Sequence, residues 1–237
     1  MRSYFMKRLS ILALIFLLLS CTPHLINDSN IFFNGKFVKI EKKSMIVACN
    51  PLDHSQCIQQ PAGSSGSAFL VSHKGDKSYF LTVRHICITD IGKYERLFDV
   101  AEIKKIEAVD LSSNKMEMKI EKVDKQNDLC LLSTKRIQAK PYSISKTEPA
   151  LGDKVYNIAT PLAIFSKDLV PLFSGYYSGE ADNRKLFTIP ATSGSSGSPV
   201  LNYRGEIIGM VSSVTVNFNN MAISPTLKNI RGFLNEN

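Results

Sequence analysis

A chain of 237 residues with 44% hydrophobic and 21% charged residues is too apolar for a disordered protein. It is long enough for one large all-β domain or two small ones. The formal charge of +8 shrinks once Arg2, Lys7 and Arg8 of the leader are set aside, leaving 26 basic residues against 21 acidic ones. Lysines such as Lys104, Lys105, Lys119 and Lys122 are scattered through strand-like runs, which argues for solvated strand faces and against a nucleic-acid partner.

The first 20 residues are separate from the fold. A positive start leads into the unbroken apolar run Ile11 to Leu19, too short for a comfortable membrane span of about 20 residues but suited to an export signal. Leu18-Leu19-Ser20-Cys21 resembles the lipobox of bacterial lipoproteins, in which the cysteine is acylated and becomes the mature N-terminus. The expectation is a signal peptide over 1–20, lipidation at Cys21 and a membrane reached through a lipid anchor rather than a spanning helix. Residues 21–35, rich in Asn and Asp, read as a tether to a domain over 36–237.

Four further cysteines remain: Cys49, Cys57, Cys87 and Cys130. They form no C-x-x-C pair, so no metal site is expected. In an exported chain they allow three disulfide pairings. The short loop between them favours Cys49–Cys57, which leaves Cys87–Cys130.

Strand signals begin at Phe37 to Ala48. Gly66 to Ser72, the turn His73 to Lys77 and Ser78 to Val83 read as a hairpin. Phe98 to Val109 and Met116 to Val123 are two more candidates, and Asp128 heads the short apolar strand Leu129 to Leu132. The polar stretch 135–146 is a connector. Further strands are expected at Lys154 to Ala159, Leu172 to Ser178, Lys185 to Ile189, Val200 to Tyr203 and Glu206 to Ser213. Leu227, Ile230, Phe233 and Leu234 then recur at helical spacing. Many short strands with turn signals and one closing helix predict an all-β fold of two packed six-stranded antiparallel β-barrels, about 36–135 and 140–223, with a helix over 225–235.

One stretch asks for chemistry. Six of the seven residues from Thr192 to Ser198 are serine or glycine, and they run straight into the strand start Pro199-Val200-Leu201. Alone, the segment is equally a turn or the exposed turn of a nucleophilic serine. Acyl transfer by serine also needs a base and a carboxylate to orient it. Of four histidines, His24 lies in the tether, His54 in the Cys49–Cys57 loop and His73 in a hairpin turn; His85 stands at the end of a buried-looking strand.

Together these segments resemble a known family. Phe80-Leu81-Thr82-Val83-Arg84-His85-Ile86-Cys87, Asn127-Asp128-Leu129-Cys130-Leu131-Leu132 and Gly194-Ser195-Ser196-Gly197-Ser198-Pro199 are similar, in this order, to the histidine, aspartate and serine segments of trypsin-like (chymotrypsin-fold) serine proteases. Ile207 to Ser212 resembles their substrate-pairing strand. The end of the chain is most similar to bacterial glutamyl endopeptidases and Deg-type proteases, although no PDZ-like region is expected after the helix.

The resemblance implies a serine endopeptidase acting on protein or peptide substrates, with Ser196 as nucleophile, His85 as base and Asp128 as its orienting acid. It implies backbone N–H groups of Gly194 and Ser196 as the oxyanion hole and no cofactor. Ser195 replaces the aspartate that pairs with a newly cut N-terminus in pancreatic-type enzymes, so that activation switch is not expected. Arg84 replaces a small residue beside the histidine. Pro190, Ser212, Ser213 and Val214 fall at substrate-pocket positions; none is acidic, and Val211 stands where glutamyl endopeptidases carry a histidine, so a small apolar side chain is the expected preference. The alternative is a catalytically silent member of the fold used as a binding lipoprotein.

Overall fold

The computed structural model describes residues 35–92, 95, 97–215 and 218–235. The leader, Cys21, His24 and the tether to residue 34 lie outside the described residues. Among those described, no helix is long and apolar enough to cross a membrane.

Six strands close the first barrel in the order β1-β2-β3-β6-β5-β4, with β4 pairing back onto β1. They are β1 (Phe37–Asn50), β2 (Asp53–Lys74), β3 (Lys77–Val83), β4 (Asp99–Val109), β5 (Lys115–Asp124) and β6 (Leu129–Lys135), with the one-turn helix α1 (Arg84–Cys87) after β3. Phe37, Ile40, Phe69, Leu70, Phe80, Leu81, Leu129 and Leu132 are fully buried in its interior. Burying such side chains, at about 1.5–3 kcal/mol each, is the main force that closes the sheet.

On the N-terminal side of Gly66 the barrel wall extends as a ribbon. Residues 53–65 have no apolar alternation, yet 57–65 pair residue for residue with β1, and Asp53 pairs with Asn50 after a register shift. Pro61 is tolerated because at that point β2 is an edge: β3 joins it only from Phe69 onward. The segment between Cys49 and Cys57 is therefore the tip of the β1–β2 hairpin, whose β1 strand also pairs with β4 as far as Asp99, rather than a free loop. Cys49 and Cys57 face each other across the ladder and are joined as a disulfide. The second disulfide, Cys87–Cys130, ties α1 to β6 inside the core. Closing its 43-residue separation restricts the unfolded chain by about 4 kcal/mol.

The second half is a seven-stranded curled sheet, β11-β10-β7-β8-β9-β13-β12. Its members are β7 (Lys154–Ile158), β8 (Leu172–Ala181), β9 (Arg184–Phe187), β10 (Pro199–Leu201), β11 (Ile207–Met210), β12 (Ser213–Thr215) and β13 (Phe218–Pro225). The sequence predicts one strand over Glu206 to Ser213. The chain instead bends at Val211 and Ser212, where Val211 N donates to Ser198 O (2.9 Å) and Ser212 N to Ile223 O (2.8 Å). The two outer strands of the sheet are thus the halves of one bent segment, and the sheet curls until they meet. The all-β, double-barrel architecture holds, with the fifth strand of the second barrel split in two.

Val155, Phe187, Ile189, Val200, Ile208 and Val211 fill this sheet. Lys185 is fully buried beside them, its ammonium satisfied by the Glu148 carboxylate and by Ile208 O. Helix α2 (Leu227–Asn235) follows β13, starting at Thr226, whose Oγ1 accepts Asn229 N at 3.2 Å. Its Ile230 and Phe233 pack into the core of the first barrel.

Candidate active site

Strand register brings the first two candidates together. β3 and β6 are antiparallel neighbours with Val83 opposite Leu129. His85, two residues past the end of β3, and Asp128, one residue before β6, must then emerge at the same end of the barrel. Arg84 N donates to Asp128 O (3.0 Å) and the Cys87–Cys130 disulfide lies just behind, so the two segments are joined on both sides of the pair.

The Asp128 carboxylate makes two bonds to one residue. Oδ2 lies 2.8 Å from His85 Nδ1, and Oδ1 accepts the His85 backbone N–H at 3.0 Å. An ionised carboxylate only accepts, so Nδ1 carries the ring proton and Nε2 presents a lone pair. The His85 side chain is 45% exposed and that of Asp128 25%, which leaves the imidazole open on its Nε2 side. The other described histidines are engaged elsewhere: His73 with Ser78 Oγ and Ala139 O, and His54 3.6 Å from Asp99 at the end of the ribbon.

The serine-glycine segment is two tight turns in succession. Ser195 N donates to Thr192 O (2.9 Å) and Ser198 N to Ser195 O (3.0 Å). The buried Ser195 hydroxyl accepts Thr192 N, so the side chain at the position of the family's aspartate serves its own turn. Gly194 sits at φ +92° with its Cα facing Thr160; a Cβ there would lie 2.2 Å from Thr160 O. The N–H groups of Ser195, Gly197 and Ser198 are bonded within the protein, whereas those of Gly194 and Ser196 donate to no described residue. Two unengaged donors flanking one peptide are the elements of an anion-binding spot.

Three buried hydroxyls hold this turn from beneath. Ser67 Oγ and Thr160 Oγ1 both donate to Gly194 O (3.2 and 3.1 Å), and Thr82 Oγ1 donates to Ser67 O (2.7 Å). Ser67 N in turn donates to Ser196 O at 2.8 Å. Sequence reasoning passed over all three. Their signal was present: each is a hydroxyl residue set at the end of, or inside, an apolar run, before Ala68-Phe69-Leu70, within Leu81-Thr82-Val83 and after Ile158-Ala159.

Gly66 connects the serine turn to the histidine helix. A Cβ at Gly66 would lie 2.8 Å from Ser196 O and 3.1 Å from the Ile86 side chain. Ser196, half-buried, therefore stands one methyl's width from the residue that follows His85. The structure brings His85 and Asp128 into direct contact and sets Ser196 beside them, with its Oγ not hydrogen-bonded to His85 Nε2.

A cavity of about 350 Å³ opens next to the turn, lined by Pro161, Phe173, Pro190, Ala191, Thr192, Asn219 and Asn220. Of the residues expected at the pocket, Pro190 lines it. Ser212 is buried with its Oγ donating to Ile223 O, Ser213 is exposed on β12, and Val214 packs against the core of the curled sheet. The far wall is the start of β13, fixed by the bond from Ala191 N to Asn219 O (2.8 Å). A larger cavity of about 670 Å³ lies between β2, β3 and the end of α2, around Val71, His73, Tyr79 and Arg231, away from His85 and Ser196. Among the described residues no three His, Cys, Asp or Glu side chains cluster closely enough to hold a metal.

The family model for a trypsin-like peptidase domain matches residues 66–210. Among solved structures, the serine endoprotease from Yersinia pestis superposes with a TM-score of 0.65 at 18% identity, covering 91% of this chain and 67% of that one. Rv3671c from M. tuberculosis H37Rv, an alanine mutant in an inactive form, superposes with a TM-score of 0.61 at 13% identity, covering 90% and 92%. At such identities these likenesses speak for the fold. No curated protein sequence matches the chain.

Proposed function

Since the chain belongs to the trypsin-like peptidase family, we propose that this serine peptidase is an endopeptidase working through an acyl-enzyme, with Ser196, His85 and Asp128 as its triad. The observation that carries this reading is the pair of hydrogen bonds that His85 donates to the Asp128 carboxylate, which leaves the Nε2 lone pair free to act as a base. Ser196 Oγ attacks the scissile carbonyl as Nε2 takes its proton. The imidazolium is stabilised by Asp128 and returns the proton to the departing amine. The Gly194 and Ser196 N–H groups, unengaged in the free protein, receive the oxyanion; one such donor is worth about 3–4 kcal/mol in this chemistry. Water repeats the sequence on the acyl-enzyme. The Ser196–His85 hydrogen bond, not made in the free protein, forms when substrate fills the cleft, as is common for such pairs.

The cavity beside the turn receives the side chain preceding the scissile bond. Its lining contains no charged residue, which disfavours Lys, Arg, Asp and Glu there, and the Asn219 and Asn220 amides add polar character to the small apolar preference expected from sequence.

The test is labelling of the intact protein with a fluorophosphonate, followed by peptide mapping of the adduct and digestion of a peptide library. The expected result is a single adduct on Ser196 and cleavage after uncharged residues. A folded protein that takes no label is instead the silent binding member of the fold.

The leader and Cys21 support an envelope-bound enzyme held by a lipid anchor. Cys21→Ala is expected to abolish incorporation of labelled palmitate and release the protein from the membrane fraction; a variant that stays membrane-bound with its label would count against the anchor.

A further inference from the structure

The backbone of Asp128 is unusual: its φ is +56°, a left-handed conformation that a side chain disfavours. Such a residue persists only where its surroundings over-determine it. Here the conformation aims the carboxylate so that both oxygens meet His85. The residues that hold it in place lie outside the triad.

The turn leading into Asp128 is built on Asp124. One carboxylate oxygen accepts Gln126 N (2.8 Å) and Asn127 N (3.1 Å), and the other accepts Asn127 Nδ2 at 2.6 Å. Asn127 is thereby fixed by its backbone and by one end of its amide. The other end, Oδ1, accepts Asn229 Nδ2 at 2.5 Å, from the first turn of α2. Asn229 is itself held through its N–H by Thr226 Oγ1. A continuous set of hydrogen bonds thus runs from a helix 102 residues away in sequence to the residue immediately before Asp128.

We propose that Asn229, Asn127 and Asp124 form a positioning relay that locks Asp128 in its left-handed conformation, so that the packing of α2 sets the geometry of the His85–Asp128 pair. The proposal rests on the peptidase reading in which Asp128 orients His85. None of the three residues touches substrate. Burial works to raise the Asp124 carboxyl, but the hydrogen bonds from Asn127 and Gln126 outweigh it and hold the group below the usual carboxylate range, ionised and accepting. Asn127 is the joint, because its amide is the one group bonded on both sides. Loss of Asn229 frees it to rotate, and the backbone of Asp128 can then relax toward ordinary φ, swinging the carboxylate off Nδ1.

Asn229→Ala is the clean variant, since alanine is the better helix former and weakens nothing else in α2. In the full chain it is expected to lower kcat about tenfold, with KM within about twofold, as a small misplacement of a catalytic group does. The low-field proton resonance of His85 Nδ1 should move upfield or broaden. Asn127→Ala should do the same, and the double variant should lose no more than Asn127→Ala alone, because both changes break one connected unit. A folded Asn229→Ala or Asn127→Ala protein with wild-type kcat and an unshifted resonance overturns the relay, as do strictly additive losses. The resonance is read without substrate, so it tests the relay even if wild-type protein cleaves nothing and takes no fluorophosphonate, the outcome that would remove the peptidase reading instead.

Discussion

Asp128→Asn is expected to lower kcat by about four orders of magnitude while leaving the fold intact. The size follows from how the side chain is held. Oδ1 accepts the His85 backbone N–H, and Oδ2 faces Nδ1 at 2.8 Å. An asparagine keeps the first bond only with its carbonyl oxygen toward the backbone N–H, which turns its NH2 toward Nδ1. Nδ1 must then accept, the ring proton moves to Nε2, and the nitrogen facing Ser196 becomes a donor that cannot take a proton. Rotating the amide the other way sets its NH2 against the backbone N–H, donor against donor, and leaves a half-buried polar group unpaired at about 1–3 kcal/mol. That second orientation would keep the proton on Nδ1, but its donor-against-donor clash disfavours it, so the populated orientation is the one that loses the base. The measurement is kcat for a peptide substrate alongside near-ultraviolet circular dichroism to show that the barrel and its Cys87–Cys130 bond persist. A folded variant within tenfold of wild type would remove Asp128 from the triad.

That His85 and Asp128 meet was implied by the resemblance of their segments to trypsin-like proteases, and the structure supplies the reason, since both border apolar strands that pair. Phe80 to Val83 and Leu129 to Leu132 are short enough that their ends are unambiguous, and antiparallel pairing of two such strands brings the residues just beyond their ends together. The serine turn was legible for a different reason: a Ser/Gly segment that runs straight into the strand start Pro199-Val200-Leu201 signals a turn at the mouth of a sheet rather than a linker. What escaped notice depends on contacts far apart in sequence. Ser67 comes from within β2, Thr82 from the end of β3 and Thr160 from just past β7, and they converge only when both barrels are folded. The cavity wall at Asn219 and Asn220 belongs to a polar strand opening with no apolar periodicity, and the partly buried Val214, expected in the pocket, packs against the core of the curled sheet on a strand that pairs with β13. The ribbon end of β2 is stabilised by its ladder and a disulfide rather than by burial, so it leaves no hydrophobic pattern to read.

The same convergence predicts the largest structural effect, at Gly197. Gly197→Ala is expected to prevent the chain from folding. Its φ of +82° already costs a side-chain-bearing residue about 1–2 kcal/mol. The added Cβ would also lie 2.0 Å from Ser67 O and 2.3 Å from Thr82 Oγ1. Neither atom can retreat: Ser67 and Thr82 are fully buried, they are hydrogen-bonded to each other, and Ser67 N is committed to Ser196 O. Relief by backbone movement instead would break the bonds Gly197 N to Val211 O and Ser67 N to Ser196 O, each stranding buried groups at about 1–3 kcal/mol. Strain of about 5 kcal/mol or more is comparable with the whole stability of a domain. Gly232→Ala is the internal control. That glycine is exposed on α2, and a Cβ added to it would meet no atom within 4 Å, so alanine there should stabilise the helix by about 0.5–1 kcal/mol. Thermal melts of the two variants side by side read the contrast. A soluble Gly197→Ala protein melting at the wild-type temperature and labelled at Ser196 would show that the serine turn does not have the tight packing against Ser67 and Thr82 on which the active-site geometry depends.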